Sequence, residues 1–452
     1  MLTFLIKKHV FHRKNLQLLM YLTYILIYCS TINNKIKLFI MKINFLKYGM
    51  LTALGVAMIG CQADSEDGAV TDSASLEVQV QVETVTGDNI TPIDGQYVIV
   101  YNDINNRMPV LSKTNSIQEY KNQINTKKDI FINEFSKVGL TEQNIKATYG
   151  YTFNGFAAEL TDIQLNDLRK DPRVQSIEQD FTIRRGKPGG GNGGGEDPAQ
   201  VTPYGTTRVG GGNSASSNTA WVIDSGIDLT HPDLNVDTAR SISFLSGSPN
   251  NQSPNDQNGH GTHVAGTIAA IDNAIGSVGV APGTTVVAVR VLDRRGNGSN
   301  SGVIAGVDYV AANGNNGDVA NMSLGGGIST ALDNAVISAA STGVKFVLAA
   351  GNESQDANNS SPARANGNNV YTISAMDIND NFANFSNYGS PVDYAAPGVA
   401  VFSTWKNGGY NTISGTSMAA PHAAGVLLLS NGSTDGFVNN DPDGNPDPII
   451  HL

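Results

Sequence analysis

The 452-residue chain carries 29 lysines and arginines against 40 acids, a formal net charge of −11, with 40% apolar residues and two cysteines. That length suits two folded units with tails, and the apolar share suffices for a sizeable core. The charge is uneven: residues 201–452 hold 8 basic and 19 acidic side chains, while the first 200 residues hold 21 of each. An acidic half of this size excludes the basic footprint of a nucleic-acid binder. Cys29 and Cys61 both precede the segments that read as folded, which excludes a disulfide framework for either domain.

Residues 1–50 contain eight lysines and arginines and no acid. Residues 41–47 read as a charged start and 49–60 as a short apolar run closed by Cys61, the layout of a secretory signal. The run is too short to span a bilayer. Met58-Ile-Gly-Cys61 resembles a bacterial lipobox, with methionine where leucine is usual. Cys61 is therefore the expected lipidation site, and ordinary signal-peptidase processing is the alternative. Residues 1–40 are rich in Lys, Asn, Ile and Leu, which makes Met41 the expected start of translation. Residues 62–92 are polar, acidic and poor in aromatics, the composition of a disordered tether.

A first folded unit is expected over 93–183. Gln96-Tyr-Val-Ile-Val-Tyr101 is β-branched and aromatic, a strand signal. Ile117, Tyr120, Ile124, Ile130, Phe131 and Phe135 share one helical face. Residues 145–160 give two strands around a turn at Asn154-Gly155. Thr161-Asp-Ile-Gln164 reads as a capping box opening a helix through Lys170, and 174–183 close as a strand. The order βαββαβ predicts a small α+β domain of ferredoxin-like type. The glycine-rich stretch 184–199 reads as a linker.

From Gln200 the pattern alternates strand-length apolar runs with Ala/Gly-rich helices. Strands are expected at 220–223, 285–291, 319–322, 345–349 and 370–374, and helices after His260, Ser301, Thr330 and Ser417. This predicts an α/β domain over 200–452 whose mostly parallel sheet is covered on both faces. A site in such a domain lies at the carboxyl ends of strands, where Asp224 and Asn352 stand. Gly415-Thr-Ser-Met-Ala-Ala-Pro-His422 places the Ser417 hydroxyl at a helix N-terminus. A serine needs a base and an orienting acid to become a nucleophile. His260, in Asn258-Gly-His-Gly-Thr-His-Val-Ala-Gly266, and Asp224, in Trp221-Val-Ile-Asp-Ser-Gly-Ile-Asp228, supply them. Asp228 reads as a turn carboxylate and His422 as a helix packing residue. His260 with His263 would make half of a zinc site, but neither His-Glu-x-x-His nor a third ligand cluster accompanies the pair.

These three segments, with Ala349-Ala-Gly-Asn352, resemble the motifs of subtilisin-like serine proteases (subtilases), in that family's chain order. The resemblance implies a three-layer subtilisin-like domain, a triad of Asp224, His260 and Ser417, and Asn352 in the oxyanion hole. Met322-Ser-Leu-Gly-Gly-Gly327 resembles the strand that pairs with substrate backbone, which assigns Ser323, Leu324 and Gly325 to substrate binding. Gly298-Ser-Asn-Ser-Gly302 resembles the opposite wall, adding Gly298 and Ser299, and Gly351 lines the pocket. No acid occurs in 323–327 or 349–351, so an apolar or aromatic residue is expected before the scissile bond. Asn384-Phe-Ser-Asn-Tyr-Gly389, Phe402-Ser-Thr-Trp405 and Ile413-Ser-Gly-Thr-Ser417 are closest to the proteinase K branch. That branch implies a structural calcium held by the Pro362 and Arg364 carbonyls and the Asp393 carboxylate, oxygen ligands that suit the ion. Asp393 as a plain surface charge is the alternative.

Phe153-Asn-Gly-Phe-Ala-Ala-Glu-Leu160 and Pro172-Arg-Val-Gln-Ser-Ile-Glu-Gln-Asp180 resemble the inhibitor propeptide that precedes many subtilases. Gln200-Val-Thr-Pro-Tyr-Gly205 resembles a mature N-terminus, so maturation is expected between Arg184 and Gln200. The whole reads as an exported, monomeric serine endopeptidase made as a self-inhibited precursor, acting on polypeptides, without nucleic-acid partners, and touching a membrane only through an N-terminal lipid. A silent relative acting as a surface binding protein would not need all four chemical positions filled. A serine esterase of another fold would carry Gly-x-Ser-x-Gly. If exposed, Met418 beside the nucleophile would be open to oxidation. The acidic tail after Leu429 is compatible with a cap on the domain, a cation loop or an unordered end.

Overall fold

The computed structural model describes residues 91–102, 108–185 and 198–452, all within one compact unit of the chain, Leu76–Leu452. Cys61, the leader and residues 62–90 lie outside the described residues, as does the stretch 186–197.

The first domain runs β1 (Pro92–Tyr101), α1 (Ile117–Glu134), β2 (Ile145–Tyr149), β3 (Gly155–Glu159), α2 (Asp162–Arg169) and β4 (Val174–Arg185). Its strands lie in the order β4-β1-β3-β2 and pair antiparallel, the ferredoxin-like arrangement that the element order predicts. Local chemistry sets the helix starts. The Ser116 hydroxyl accepts from Glu119 N ahead of α1, and Thr161 with Gln164 forms a reciprocal capping box ahead of α2. Phe131 of α1 and Phe135, its C-cap, pack on Phe156 of β3, with ring centroids 5.0 and 5.7 Å apart. Strand β4 runs two residues beyond the expected end at Ile183. Arg184 and Arg185 stay extended because they pair outside the domain, with β10 (Leu324–Gly325) and β8 (Asn297–Ser299).

The second domain is built on nine strands ordered β16-β17-β13-β12-β11-β9-β5-β7-β6. These are β5 (Ala220–Asp224), β6 (Ile242–Ser243), β7 (Val286–Arg290), β9 (Val319–Met322), β11 (Lys345–Ala349), β12 (Val370–Met376), β13 (Val392–Pro397), β16 (Ser433–Phe437) and β17 (Pro448–His451). All pairings are parallel except β16 with β17. Helices α3 (His260–Ala269) and α6 (Thr416–Leu429) share one core with Ala220 and Val222, whereas α4 (Asn300–Asn313) and α5 (Thr330–Ala340) share the other with Trp221 and Ile223. Alternate residues of one strand thus serve both faces of a covered sheet, which is why the strands read as continuous apolar runs. The architecture is the expected three-layer α/β one. The hairpin β14 (Val401–Trp405) and β15 (Gly409–Ile413) lies off the sheet. The acidic tail, left open by its sequence, folds: β17 joins β13 and β16 forms the sheet edge.

Candidate active site

Each of the three triad candidates stands at the end of an element. Asp224 is the last residue of β5, at the carboxyl end of a parallel strand, and is fully buried. His260 is the first residue of α3, also fully buried. Its Nδ1 lies 2.9 Å from both Asp224 carboxylate oxygens. The second ring nitrogen, Nε2, is buried without a partner. A carboxylate on Nδ1 fixes the tautomer that leaves Nε2 free to accept a proton.

Ser417 lies in the first turn of α6, 2% exposed. Its hydroxyl donates to the Ser323 carbonyl at 3.2 Å, and the Ser323 hydroxyl donates back to the Ser417 carbonyl at 2.8 Å. The second bond has a sequence cause. Pro421, four residues on, has no N–H to bond the Ser417 carbonyl, so that oxygen is left for Ser323. No hydrogen bond joins Ser417 Oγ to His260 in this arrangement. One χ1 rotation separates the staggered positions of a serine hydroxyl.

Asn352 is held by its oxygen. Its Oδ1 accepts from Thr416 N at 2.8 Å and Thr416 Oγ1 at 3.0 Å. This leaves Nδ2 buried with no acceptor, an unspent donor beside the start of α6. Gly351 is required here. It adopts φ +109°, and a Cβ would come within 2.2 Å of Asn387 Nδ2. Glu353, which the motif reading passed over, turns its Oε2 to Asn352 N and Asn387 Nδ2 at 2.9 Å each.

Gly298, Ser299, Leu324 and Gly325 fall on two strands that clasp β4, while Ser323 precedes β10 and Gly351 lies after β11. Leu324 opposes Arg185 and Gly325 opposes Arg184, while Gly298 opposes Ile183 and Ser299 opposes Thr182. Ile183 is fully buried between them, within van der Waals range of where a Cβ on Gly298 or Gly326 would stand. The first domain therefore lays a peptide across the cleft as the central strand of a three-stranded clasp. Burial pushes the Arg185 guanidinium down, with Asp224 and Asp256 opposing.

Three carboxylates fasten the first domain above this strand. Asp308 of α4 accepts through Oδ1 from Gly150 N, Tyr151 N, Thr152 N and the Thr152 hydroxyl, at 2.8 to 3.0 Å. Asp180 accepts from Ser301 N at the start of α4, at 3.1 Å. Glu178 accepts from Ala331 N at 3.0 Å and from the Ser329 hydroxyl, at the start of α5. Negative charge at both helix N-termini meets the positive end of each dipole. Tyr120 of α1 packs on Tyr309 of α4, centroids 4.9 Å apart.

The remaining candidates separate. His263 turns Nε2 to the Val401 carbonyl at 3.0 Å, and burial lowers its pKa to about 3. It is a neutral packing residue rather than half of a zinc pair. His422 points Nδ1 at the Met418 carbonyl, and burial lowers it to about 4. Asp228 caps its own turn through Thr230 and takes Gly408 N. Met418 is fully buried, so the exposure needed for easy oxidation is missing.

Among the described residues no group of three or more His, Cys, Asp or Glu gathers to hold a metal. The Pro362, Arg364 and Asp393 set contains one carboxylate only. Thr372 gives its N–H to Asp393 Oδ2 at 2.8 Å and its hydroxyl to the carbonyl of Ala363, between Pro362 and Arg364, at 2.7 Å. The Arg364 side chain turns away to Asp333 at 2.8 Å, so its carbonyl is not crowded by its own charge. The Pro362 carbonyl already accepts from Ala365 N at 2.8 Å. The donors suit a hard cation.

Comparison with known proteins places these features. The Subtilase family matches residues 221–439, and Peptidase inhibitor I9 matches residues 96–185. An alkaline serine exoprotease A from Vibrio alginolyticus is 45% identical over 311 residues, 64% of this chain and 54% of that protein, so the chain spans about half of that relative. A subtilisin-like protease 2 from Pseudogymnoascus destructans is 42% identical over 61% of this chain and 67% of its own length. An extracellular serine proteinase from Thermus sp. is 36% identical over 396 residues, 84% of this chain and 89% of that protein.

Proposed function

Because this chain belongs to the subtilase family of subtilisin-like serine proteases, with an I9 inhibitor domain ahead of the protease domain, we propose that it is an exported serine endopeptidase made as a self-inhibited precursor. The observation that carries this reading is the pair of clasps in one molecule. Asp224 grips His260 Nδ1, Ser417 Oγ bonds the carbonyl of Ser323, the residue before β10, and β8 with β10 grip the I9-domain strand.

In the proposed reaction Ser417 Oγ rotates off the Ser323 carbonyl to His260 Nε2 and attacks the substrate carbonyl as His260 takes its proton. Asp224 holds the ring and steadies the imidazolium. The oxyanion receives Asn352 Nδ2 and the Ser417 backbone N–H. His260 then protonates the leaving amine, and water repeats the sequence on the acyl-enzyme. Substrate takes the place of β4 between Gly298–Ser299 and Ser323–Gly325, with Gly351 in the pocket wall. The buried seat of Ile183 supports a taste for apolar side chains on the acyl side of the bond. Maturation falls between Arg184 and Gln200, beyond the strand end that pairs with Leu324 and Gly325. A structural calcium on the Pro362 and Arg364 carbonyls and Asp393 belongs to this reading, as do a monomeric enzyme and attachment through Cys61 when that residue is lipidated.

The test follows the chain from Met41 and its Ser417→Ala variant over time, by size and by casein digestion. The proposal expects wild type to shorten to a protease-domain fragment, digest casein and label with a fluorophosphonate. The variant stays full length, inert and unlabelled. A wild type that neither shortens nor labels would mark a silent relative.

A further inference from the structure

One buried carboxylate near the triad has no part in the reaction above. Asp256 lies in the loop before α3, 3% exposed. Its Oδ1 accepts from the Ser225 hydroxyl at 3.0 Å, Asn258 N at 2.8 Å and Gly259 N at 2.9 Å. Its Oδ2 accepts from Thr262 N at 3.0 Å and the Thr262 hydroxyl at 2.7 Å. Two of those partners flank the triad in sequence: Ser225 follows Asp224, and Gly259 precedes His260.

The joint is closed from the other side. The Ser225 hydroxyl that donates to Asp256 also accepts from Gly261 N at 3.0 Å. The Thr262 hydroxyl accepts from Asp228 N at 3.0 Å. Gly261 allows the close approach, since a Cβ there would stand 2.1 Å from the Gly226 carbonyl oxygen. Arg290, whose backbone pairs with Asp224 across β7 and β5, gives Nη1 to the carbonyls of Asn250, Ser253 and Asn255, the loop that leads into Asp256.

We propose that Asp256 is a positioning residue of the triad, a buried bracket that sets the approach of the His260 helix to the strand end carrying Asp224. The inference rests on the Asp224–His260–Ser417 reading. An ordinary N-cap needs one or two hydrogen bonds to its own helix. Asp256 makes those and also reaches across, through Ser225, to the element that holds the other half of the pair. Full burial of a carboxylate is costly unless its oxygens are satisfied, and here five donors do so. The geometry of the Asp224–His260 pair changes little between substrate binding and the transition state, so a loosened bracket reduces turnover more than affinity.

The experiment compares the matured enzyme with Asp256→Asn and Ser225→Ala, using a short peptide anilide. Active sites are first counted by fluorophosphonate labelling carried to completion, so that unfolded or unmatured chains drop out. Asp256→Asn turns one acceptor oxygen into a donor facing backbone N–H groups. Ser225→Ala keeps every bond from Asp256 to α3 and cuts its link to the Asp224 side, together with the Gly261 N–H bond to the same hydroxyl. The expected result is kcat per labelled site down at least tenfold in Asp256→Asn and at least threefold in Ser225→Ala, with KM within twofold of wild type in both. Should Asp256→Asn not mature, Ser225→Ala decides alone. If kcat per labelled site stays within twofold of wild type in Ser225→Ala and in any Asp256→Asn recovered, Asp256 is a structural cap only. An unlabelled wild type would instead overturn the protease reading itself.

Discussion

At the scale of single residues, Asn352 and Asp447 carry the sharpest expectations. Asn352 spends its oxygen on Thr416 and keeps Nδ2 in reserve, so in the proposed reaction Asn352→Ala removes a donor to the oxyanion. Initial-rate kinetics should find kcat lower by about 10²–10³ with KM little changed. An equal change in both would place the residue in ground-state binding. Asp447 bonds the Ser374 hydroxyl at 2.6 Å, and burial raises its pKa to about 7. A carboxyl with a raised folded pKa contributes stability that is complete below the unfolded value near 3.9 and is lost as pH rises through about 7. Asp447→Asn should therefore flatten the fall in Tm between pH 4 and 7 and raise Tm at pH 8, measured in chelator-containing buffer. A steeper fall would refute this sign.

At the scale of elements, β4 and α4 show how much of the inhibited state lies in pairings across domains. The sequence of 174–183 predicts a closing strand, as found. It could not reveal that Arg184 and Arg185 continue it, because their hydrogen-bonding partners lie at Gly296, Leu324 and Gly325, more than a hundred residues away. Asp308 reads in its own helix as one more polar residue. Only the packed structure brings it to Gly150, Tyr151 and Thr152, whose N–H groups converge on its Oδ1. Asp308→Ala leaves the buried Thr152 N–H and the half-buried Gly150 and Tyr151 N–H groups without their acceptor, and a buried unsatisfied group costs about 1–3 kcal/mol. The lag before casein digestion should shorten several-fold, read in a time course after refolding. An unchanged lag would assign retention of the propeptide to β4 alone.

At the scale of the whole molecule, the chain seats both ends of the stretch in which the proposed maturation cut falls. Arg185 lies in the cleft, while Pro198 and Gln200 are already bonded to Gly276 and Ala274. Gln200, Asp233 and Asn273 then tie the protease domain's start to the loop after α3. If calcium fills the Pro362, Arg364 and Asp393 set, its removal by EGTA from a hundredfold excess over Kd costs about 2.7 kcal/mol. For domains of this size that lowers Tm by roughly 5–10 °C. Asp393→Asn should abolish the difference between calcium and EGTA melts, and an unchanged difference would move the ion elsewhere.

Sequence alone determined the features that fit in short windows. These are the capping box at Thr161, the apolar strands that alternate with helices, and the glycine before α6 that sets Ser417 at a helix start. Each depends on neighbours a few residues apart, where backbone sterics and local hydrogen bonds decide the outcome. The tertiary structure alone decided which long-range partners meet: Asp256 with Ser225, Asp308 with the turn at Gly150, Ser323 with the carbonyl that Pro421 frees, and the acidic tail with the sheet edge. Such pairings are fixed by packing two cores against one covered sheet, a global condition that no short stretch of residues states by itself.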